Sequence, residues 1–404
     1  MKKLYFIFLP LFIILNACSK SLIIKINAIN PLPIERSDEL IVISKAQLSL
    51  YEIPENGFPI VYINNNEEIP SQIDDINLDG IWDELAFSVD FKAQDTLDII
   101  IKFQTAKPSY TKSTNIRLAK KDNNQLVALN KAERIAGKDT KITSTFYQME
   151  GPAWENDKVA FRNYLDERNG MDIFGKITEK MILDSVGINE DYHKMQEWGM
   201  DILKVGSSLG AGALAFNIND TLFRLAIANG SYAEIVNIGP VRSILNLNFP
   251  AIKIDESSFD LIQQISIAKG KYYYENCLRI SKHRYDVVSG IVKLHSDTLI
   301  KSIDDMSFYI ATHDTQAYNK ENLGMAIMGR TKDLVIAAEA PSENADITQT
   351  YYCQFKESIS DNLCFRFYAC WEESDEIFKN RSSFLTFLDI EKLKYNNPII
   401  IHLK

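Results

Sequence analysis

Arg162, Tyr164, Tyr192, His193 and Lys204 fall within one stretch of this 404-residue chain. Together they hold the groups that an elimination reaction needs. A sugar bearing a carboxylate is cleaved or dehydrated when a base removes the proton α to that carboxylate. A cation or hydrogen-bond donor stabilises the enediolate, and an acid protonates the departing oxygen. His193 is the first choice for moving the proton. The chain has five histidines, and this one stands between Tyr192 and a Trp198/Asp201 segment. A buried carboxylate there would hold its tautomer and raise its basicity. The plain alternative is a histidine fixed in a structural network. Tyr164 completes the proton-transfer pair. Arg162, Lys204 and Arg242, the last in Gly239-Pro-Val-Arg-Ser, supply cations for the carboxylate. Lys282-His283-Arg284-Tyr285 repeats the inventory, which adds His283 to the substrate-binding candidates. His295, His313 and His402 have no such company.

These residues belong to the most polar glycine-rich part of the chain, Gly151–Gly212. It also carries Trp154, Glu155, Asn156, Asp166, Arg168, Asp172, Trp198 and Asp201. An apolar core does not tolerate that many charges unpaired, and a solvated surface does not need two tryptophans. The stretch is expected to line a polar cleft. There Trp154 and Trp198 would stack on sugar faces, and Glu155, Asn156, Tyr192 and Asp201 would touch the ligand. Core packing is the commoner fate of a tryptophan in a β-sandwich. Glu155, Asp166, Asp172 and Asp201 also keep a paired-carboxylate hydrolase open. The glycines of Val205–Gly212 are no phosphate loop, because G-K-[ST] is missing and no βαβ unit surrounds them. No nucleotide cofactor is expected.

The elements that must position these groups are strands. Residues 22–105 hold SLIIKINAIN, ELIVISK, FPIVYI, ELAFSVDF and TLDIIIKF, short β-rich runs between Pro, Asn, Asp and Gly turns. From about 146 onward similar runs continue without a βαβ rhythm, so the sheets should be antiparallel. The spacing predicts one short helix over Ser374–Leu388 before the terminal strand PIIIHLK. The reading is all-β. A small N-terminal β-domain covers 18–105, a linker with edge strands 106–145, and a large antiparallel sandwich 146–404.

Asp75-Ile-Asn77-Leu-Asp79-Gly80-Ile81-Trp-Asp83-Glu84 interrupts the small domain. Alternating oxygen ligands with glycine at the sixth place suit a hard cation such as Ca²⁺. Asp75, Asn77, Asp79, the carbonyl of Ile81 and Asp83 would be the ligands, in a structural role. The twelfth position is Ala86 rather than Glu, and an Asx-rich turn is the competing reading.

The first seventeen residues read as an address: Lys2 and Lys3, then an apolar run too short to span a bilayer, then Leu15-Asn16-Ala17-Cys18. That end resembles a bacterial lipobox, which makes Cys18 the lipidation site and the cell envelope, facing the periplasm, the expected location. Without residues 1–17, which carry two lysines, the 44 basic side chains become 42 against 54 acidic ones, a net charge of −12. Nucleic acid is therefore excluded as a partner, and an anionic substrate must meet a local basic patch. The remaining cysteines are Cys277, Cys353, Cys364 and Cys370. An oxidising envelope permits a disulfide, with the last three the nearest candidates, and buried free thiols are equally compatible.

GPAWENDKVAFRNYLDERNGMDIFGK, YHKMQEWGMDILKVGSSLGAG, GPVRS, DINLDGIWDELAF and FYACWEESDEIF resemble the DUF4861 family of bacterial envelope proteins over roughly residues 27–390. The family occurs mainly in polysaccharide-degrading Bacteroidetes, beside enzymes that process uronate oligosaccharides. The resemblance implies glycan breakdown and a mutarotase-like β-supersandwich behind the small β-domain. It fixes no catalytic residue, because fold does not carry chemistry. The expectation is an acidic-oligosaccharide lyase or dehydratase. A non-catalytic glycan-binding lipoprotein and a glycoside hydrolase or sugar epimerase are the alternatives.

Overall fold

A computed structural model of the chain describes residues 22–64, 66–123, 125–134, 146–188, 190–225, 230–254, 256–281, 285–356 and 363–404. Cys18, Lys282, His283 and Arg284 lie outside the described residues. The protein is all-β, with every strand pairing between the named strands antiparallel and one α-helix, Arg381–Asn396, among the described residues.

The small domain is a sandwich of a five-stranded and a three-stranded sheet around Ile24, Ile26, Ile41, Val61, Phe87 and Ile101. Its strands alternate buried and exposed positions, as Ile23–Ile29 shows, because one face meets the core and the other meets water. The last strand of the chain, Ile400–Leu403, pairs with Ile23–Ile29. The C-terminus therefore closes the N-terminal sheet instead of ending in the large domain.

The large domain sets a nine-stranded sheet against two five-stranded ones over one continuous core. The first five-stranded sheet runs Gly199–Asp201, Met171–Lys176, Val159–Asn163, Ala153–Asn156, Thr114–Arg117. Its three central strands are buried at every position. The helix covers the outer face of the nine-stranded sheet with Phe384 and Leu388 on Tyr309 and Tyr368. Strands beneath it, such as Ser307–Asp314, are consequently buried on both faces. The helix begins later than Ser374 because Asp375 caps a separate short turn, Glu376–Lys379, and Asn380 is extended.

The disulfide joins Cys277 to Cys364, opposite residues on neighbouring strands, 87 positions apart in sequence. Among the last three cysteines, only Cys364 is bonded; Cys353 and Cys370 are buried free thiols.

Candidate functional site

The site grows from one register. Strand Val159–Asn163 pairs with Met171–Lys176 so that Arg162 faces Asp172, and Gly199–Asp201 adds Asp201 on the far side. Gly199 is held at φ +127°, where a Cβ would lie 1.9 Å from the Gly175 carbonyl oxygen. Only glycine lets that strand approach. Gly210, at φ +64° against the Met171 carbonyl, does the same for the loop after Lys204.

Arg162 is the centre. Its Nη2 donates to Asp172 Oδ2 at 2.7 Å and to Asp201 Oδ2 at 2.6 Å, and its Nη1 donates to the Tyr192 hydroxyl at 3.1 Å. Tyr164 donates its hydroxyl to Asp172 Oδ2, and the Ile173 N–H donates to Oδ1. Arg162, Asp172 and Asp201 are each at most 3% exposed. Burial, then the Asp172 charge, push the Asp201 carboxyl well above the usual carboxylate range, although Arg162 opposes the rise. Burial works against the Arg162 charge, but Tyr164, Asp201 and Asp172 hold it well above its ordinary value. Burial likewise pushes Tyr164 far up. The cluster thus sets one guanidinium against two buried acidic side chains, and Asp201 holds a proton more tightly than an ordinary carboxylate does.

Above this buried base sits an accessible histidine. The His193 side chain is 52% exposed, with Nδ1 3.2 Å from Asp191 Oδ1 and Nε2 3.8 Å from Asp201 Oδ2. A carboxylate beside Nδ1 makes that nitrogen the donor and leaves Nε2 free to accept a proton. The ring lies 4.5 Å from the half-buried Tyr192 ring. The Asp201 N–H donates to the Tyr192 carbonyl at 2.8 Å, which ties the His193 loop to the Asp201 strand. Arg168 rests 4.0 Å over the Tyr164 ring and pairs with Glu150 at 3.2 Å. Met149 and Glu150 both have positive φ, 53° and 64°. Such strain in two successive non-glycine residues gathers at functional sites.

The sequence-nominated residues divide. Arg162, Tyr164, Tyr192, His193 and Asp201 come together. Arg162 is saturated by its own carboxylates, so it is not a free clamp for a substrate carboxylate. Tyr164, 5% exposed and committed to Asp172, supports the cluster instead of meeting ligand. Lys204 is exposed and makes no ion pair among the described residues. Trp154 is fully buried, stacked on Phe161 and edge-on to Tyr274, and offers no platform for a sugar. Glu155 is also in the interior: it pairs with the buried Lys176 at 2.8 Å and accepts the Ile182 and Leu183 N–H groups. Asn156 donates to the Ala268 and Lys271 carbonyls and braces a loop. Trp198 is 8% exposed, edge-on to Phe174, with its indole N–H on Glu190. Arg242 lies at the junction of the two domains, on Asp74 and Glu84. His313 is buried on the Phe378 carbonyl, and His295 and His402 are surface residues. Asp191 and Glu150 are the site residues that sequence reasoning missed. Asp191, two positions before His193, was within its reach as a local tautomer-setting partner.

In the Asp75–Asp83 loop the oxygens accept backbone N–H groups. Asp79 and Gly80 donate to Asp75, Ile81 to Asp79 and Ile76 to Asp83, at 2.7–3.1 Å. This is a self-capped Asx turn. Among the described residues no three His, Cys, Asp or Glu side chains converge as a metal-holding group.

Residues 29–401 match the family described as Domain of unknown function (DUF4861), and the chain belongs to that family. It is 24% identical over 274 residues to the "Uncharacterized protein P7" of Formosa agariphila, a match that covers 62% of this chain and 66% of that one. Among solved structures it is similar to an alpha-mannosidase from Enterococcus faecalis, with TM-score 0.47 and 8% identity over 95% of this chain and 46% of that one. A glycosyl hydrolase family 38 protein from the same organism gives TM-score 0.41 and 9% identity over 95% and 47%. The chain spans just under two thirds of its curated relative and just under half of each solved chain.

Proposed function

We propose that this DUF4861 protein is a lipid-anchored envelope enzyme that eliminates across a bond next to the carboxylate of a uronate-containing oligosaccharide. The observation that carries the reading is the accessible His193, set by Asp191 and backed by the buried Asp201–Arg162–Asp172 cluster. His193 Nε2 takes the proton α to the sugar carboxylate. The bond to the β oxygen breaks, and a carbon–carbon double bond forms. Tyr192 protonates the departing oxygen: its hydroxyl accepts a hydrogen bond from Arg162, which leaves its own proton to give and a cation to hold the phenolate. Solvent then takes the proton from the imidazolium and restores one to the Tyr192 phenolate, which resets both groups. Lys204, exposed and without an ion pair among the described residues, is the group for the substrate carboxylate. Tyr192 thus takes the acid role that sequence reasoning gave to Tyr164.

The envelope location rests on the Leu15–Cys18 motif and on the Cys277–Cys364 disulfide, which suits an oxidising compartment. Cys18→Ala should abolish labelling of the chain by a radioactive fatty acid in cells; retained label would remove the anchor.

The test is incubation of the purified protein with a panel of uronate oligosaccharides, followed by ultraviolet absorbance of the unsaturated uronate and by mass. The expected result is cleavage without gain of water, lost in His193→Ala and Tyr192→Phe. Cleavage with gain of water would make the protein a hydrolase. Binding with unchanged mass would make it a glycan-binding protein or an epimerase.

A further inference from the structure

A second cavity lies where the two domains meet, away from His193. It has a volume of about 210 Å³ and opens to solvent between Phe58 and Ser71 of the small domain, Lys107, Tyr110 and Lys112 of the connection, and Asn237 of the large domain. Three features mark it as built for a ligand. Its frame is rigid: Gln72 accepts the Val241 and Arg242 N–H groups, and Asn237 donates to the Ile73 carbonyl, so both domains hold it. Its wall carries a buried hydroxyl: Ser71 is 3% exposed and lies against the Tyr110 side chain. Its mouth is cationic: Lys107 and Lys112 are exposed and neither has an ion-pair partner among the described residues. In a chain of net charge −10, two unpaired lysines at one opening attract an anion locally. Phe58 and Tyr110 add flat apolar surface, and Tyr110 is anchored by its hydroxyl on Glu68 at 2.8 Å.

We propose that this cavity binds one anionic pyranose, with Lys107 and Lys112 on its charged group, Phe58 or Tyr110 against its ring and Ser71 on a hydroxyl. It is an anchoring site for a glycan chain, separate from the reacting centre. The choice of a sugar rests on the carbohydrate reading above; the anion preference rests on the cavity alone. A uronate and a sulfated sugar share the chemistry, and the probes tell them apart.

The experiment is calorimetric titration of the purified protein with glucuronate, glucose 6-sulfate and glucose. It is run on the wild type, Lys107→Ala/Lys112→Ala, Tyr110→Ala and His193→Ala. At least one anionic sugar should bind to wild type and His193→Ala alike, and glucose should bind far more weakly. The double lysine variant should bind at least about tenfold more weakly. Both lysines are exposed, so this variant should keep the wild-type melting temperature and report binding alone. The anion that binds more tightly identifies the charged group. No anionic sugar binding to wild type, or binding unchanged in the double variant and in Tyr110→Ala, overturns the proposal. Binding lost only in His193→Ala also overturns it, because the ligand then sits at the reacting centre. Binding of an anionic sugar by a wild type that forms no unsaturated product would instead count against the elimination reading and leave this site standing.

Discussion

Among the described residues two buried arginines, Arg162 and Arg242, each hold two carboxylates, and only one of the clusters is built like a reacting centre. Arg242 meets Asp74 and Glu84 across the domain junction. Asp74 is further held by Gln72 and Asn237, and the cluster's open end is Glu84, 30% exposed. Everything there points at the partner domain. Arg162 holds Asp172 and Asp201 with both carboxylates sealed, and its remaining N–H points to Tyr192 beneath His193. The ion-pair chemistry is the same in both. The difference is what stands at the surface end: a partner strand seals one cluster, and an accessible imidazole and phenol cap the other. An arginine between two aspartates is therefore no evidence for catalysis until its neighbours are placed.

The comparison breaks most sharply at Arg162. Arg162→Met strands two fully buried carboxylates and should cost about 3–5 kcal/mol in denaturant unfolding. A loss below about 1 kcal/mol would mean that the cluster is wetter than its burial says. Arg242→Met should cost less, about 2 kcal/mol, because Glu84 can turn to water. It should leave turnover intact, since it touches only the junction; lost turnover would join the junction to the site.

Asp201 sharpens the contrast through pH. Its folded carboxyl binds a proton more tightly than the unfolded one, whose pKa is about 3.9. The stability it lends is present below that unfolded value and is lost as pH rises towards the raised folded value. Asp201→Asn cannot ionise, so the wild type should lose more stability than the variant between acid and neutral pH. Parallel profiles would show that Asp201 is an ordinary carboxylate. The smallest effect belongs to the Asp75–Asp83 loop. Its own N–H groups already cap its oxygens, so chelation by EDTA should leave the melting temperature unchanged. A clear drop restored by Ca²⁺ would assign a cation to it.

The all-β architecture was legible from turn-bounded alternating runs. So was the stretch that supplies the site, because Arg162, Asp172, Tyr192, His193 and Asp201 crowd within it. Which of its polar residues meet solvent was not legible. Trp154, Glu155 and Asn156 look like neighbours of the same kind as Arg162, yet their strand is buried at every position. The polar atoms of Glu155 and Asn156 go to Lys176 and to a neighbouring loop. Burial on both faces erases the alternation that would have marked inside from outside. The register that puts Arg162 opposite Asp172 and the pairing of Cys277 with Cys364 are non-local, and one chain without its pairings does not contain them. Arg242 was drawn to the site by its motif alone; only the docked small domain shows where its charge is spent.

The most direct measurement compares turnover of uronate oligosaccharides by wild type and His193→Ala, alongside the unfolding free energy of both. His193 is exposed, so the substitution should change stability by no more than about 0.5 kcal/mol. It should lower the rate of unsaturated-product formation by about 10²–10⁴-fold. Unaltered turnover in a folded His193→Ala protein would contradict the account and leave the Arg162 cluster, like that of Arg242, as a structural clamp.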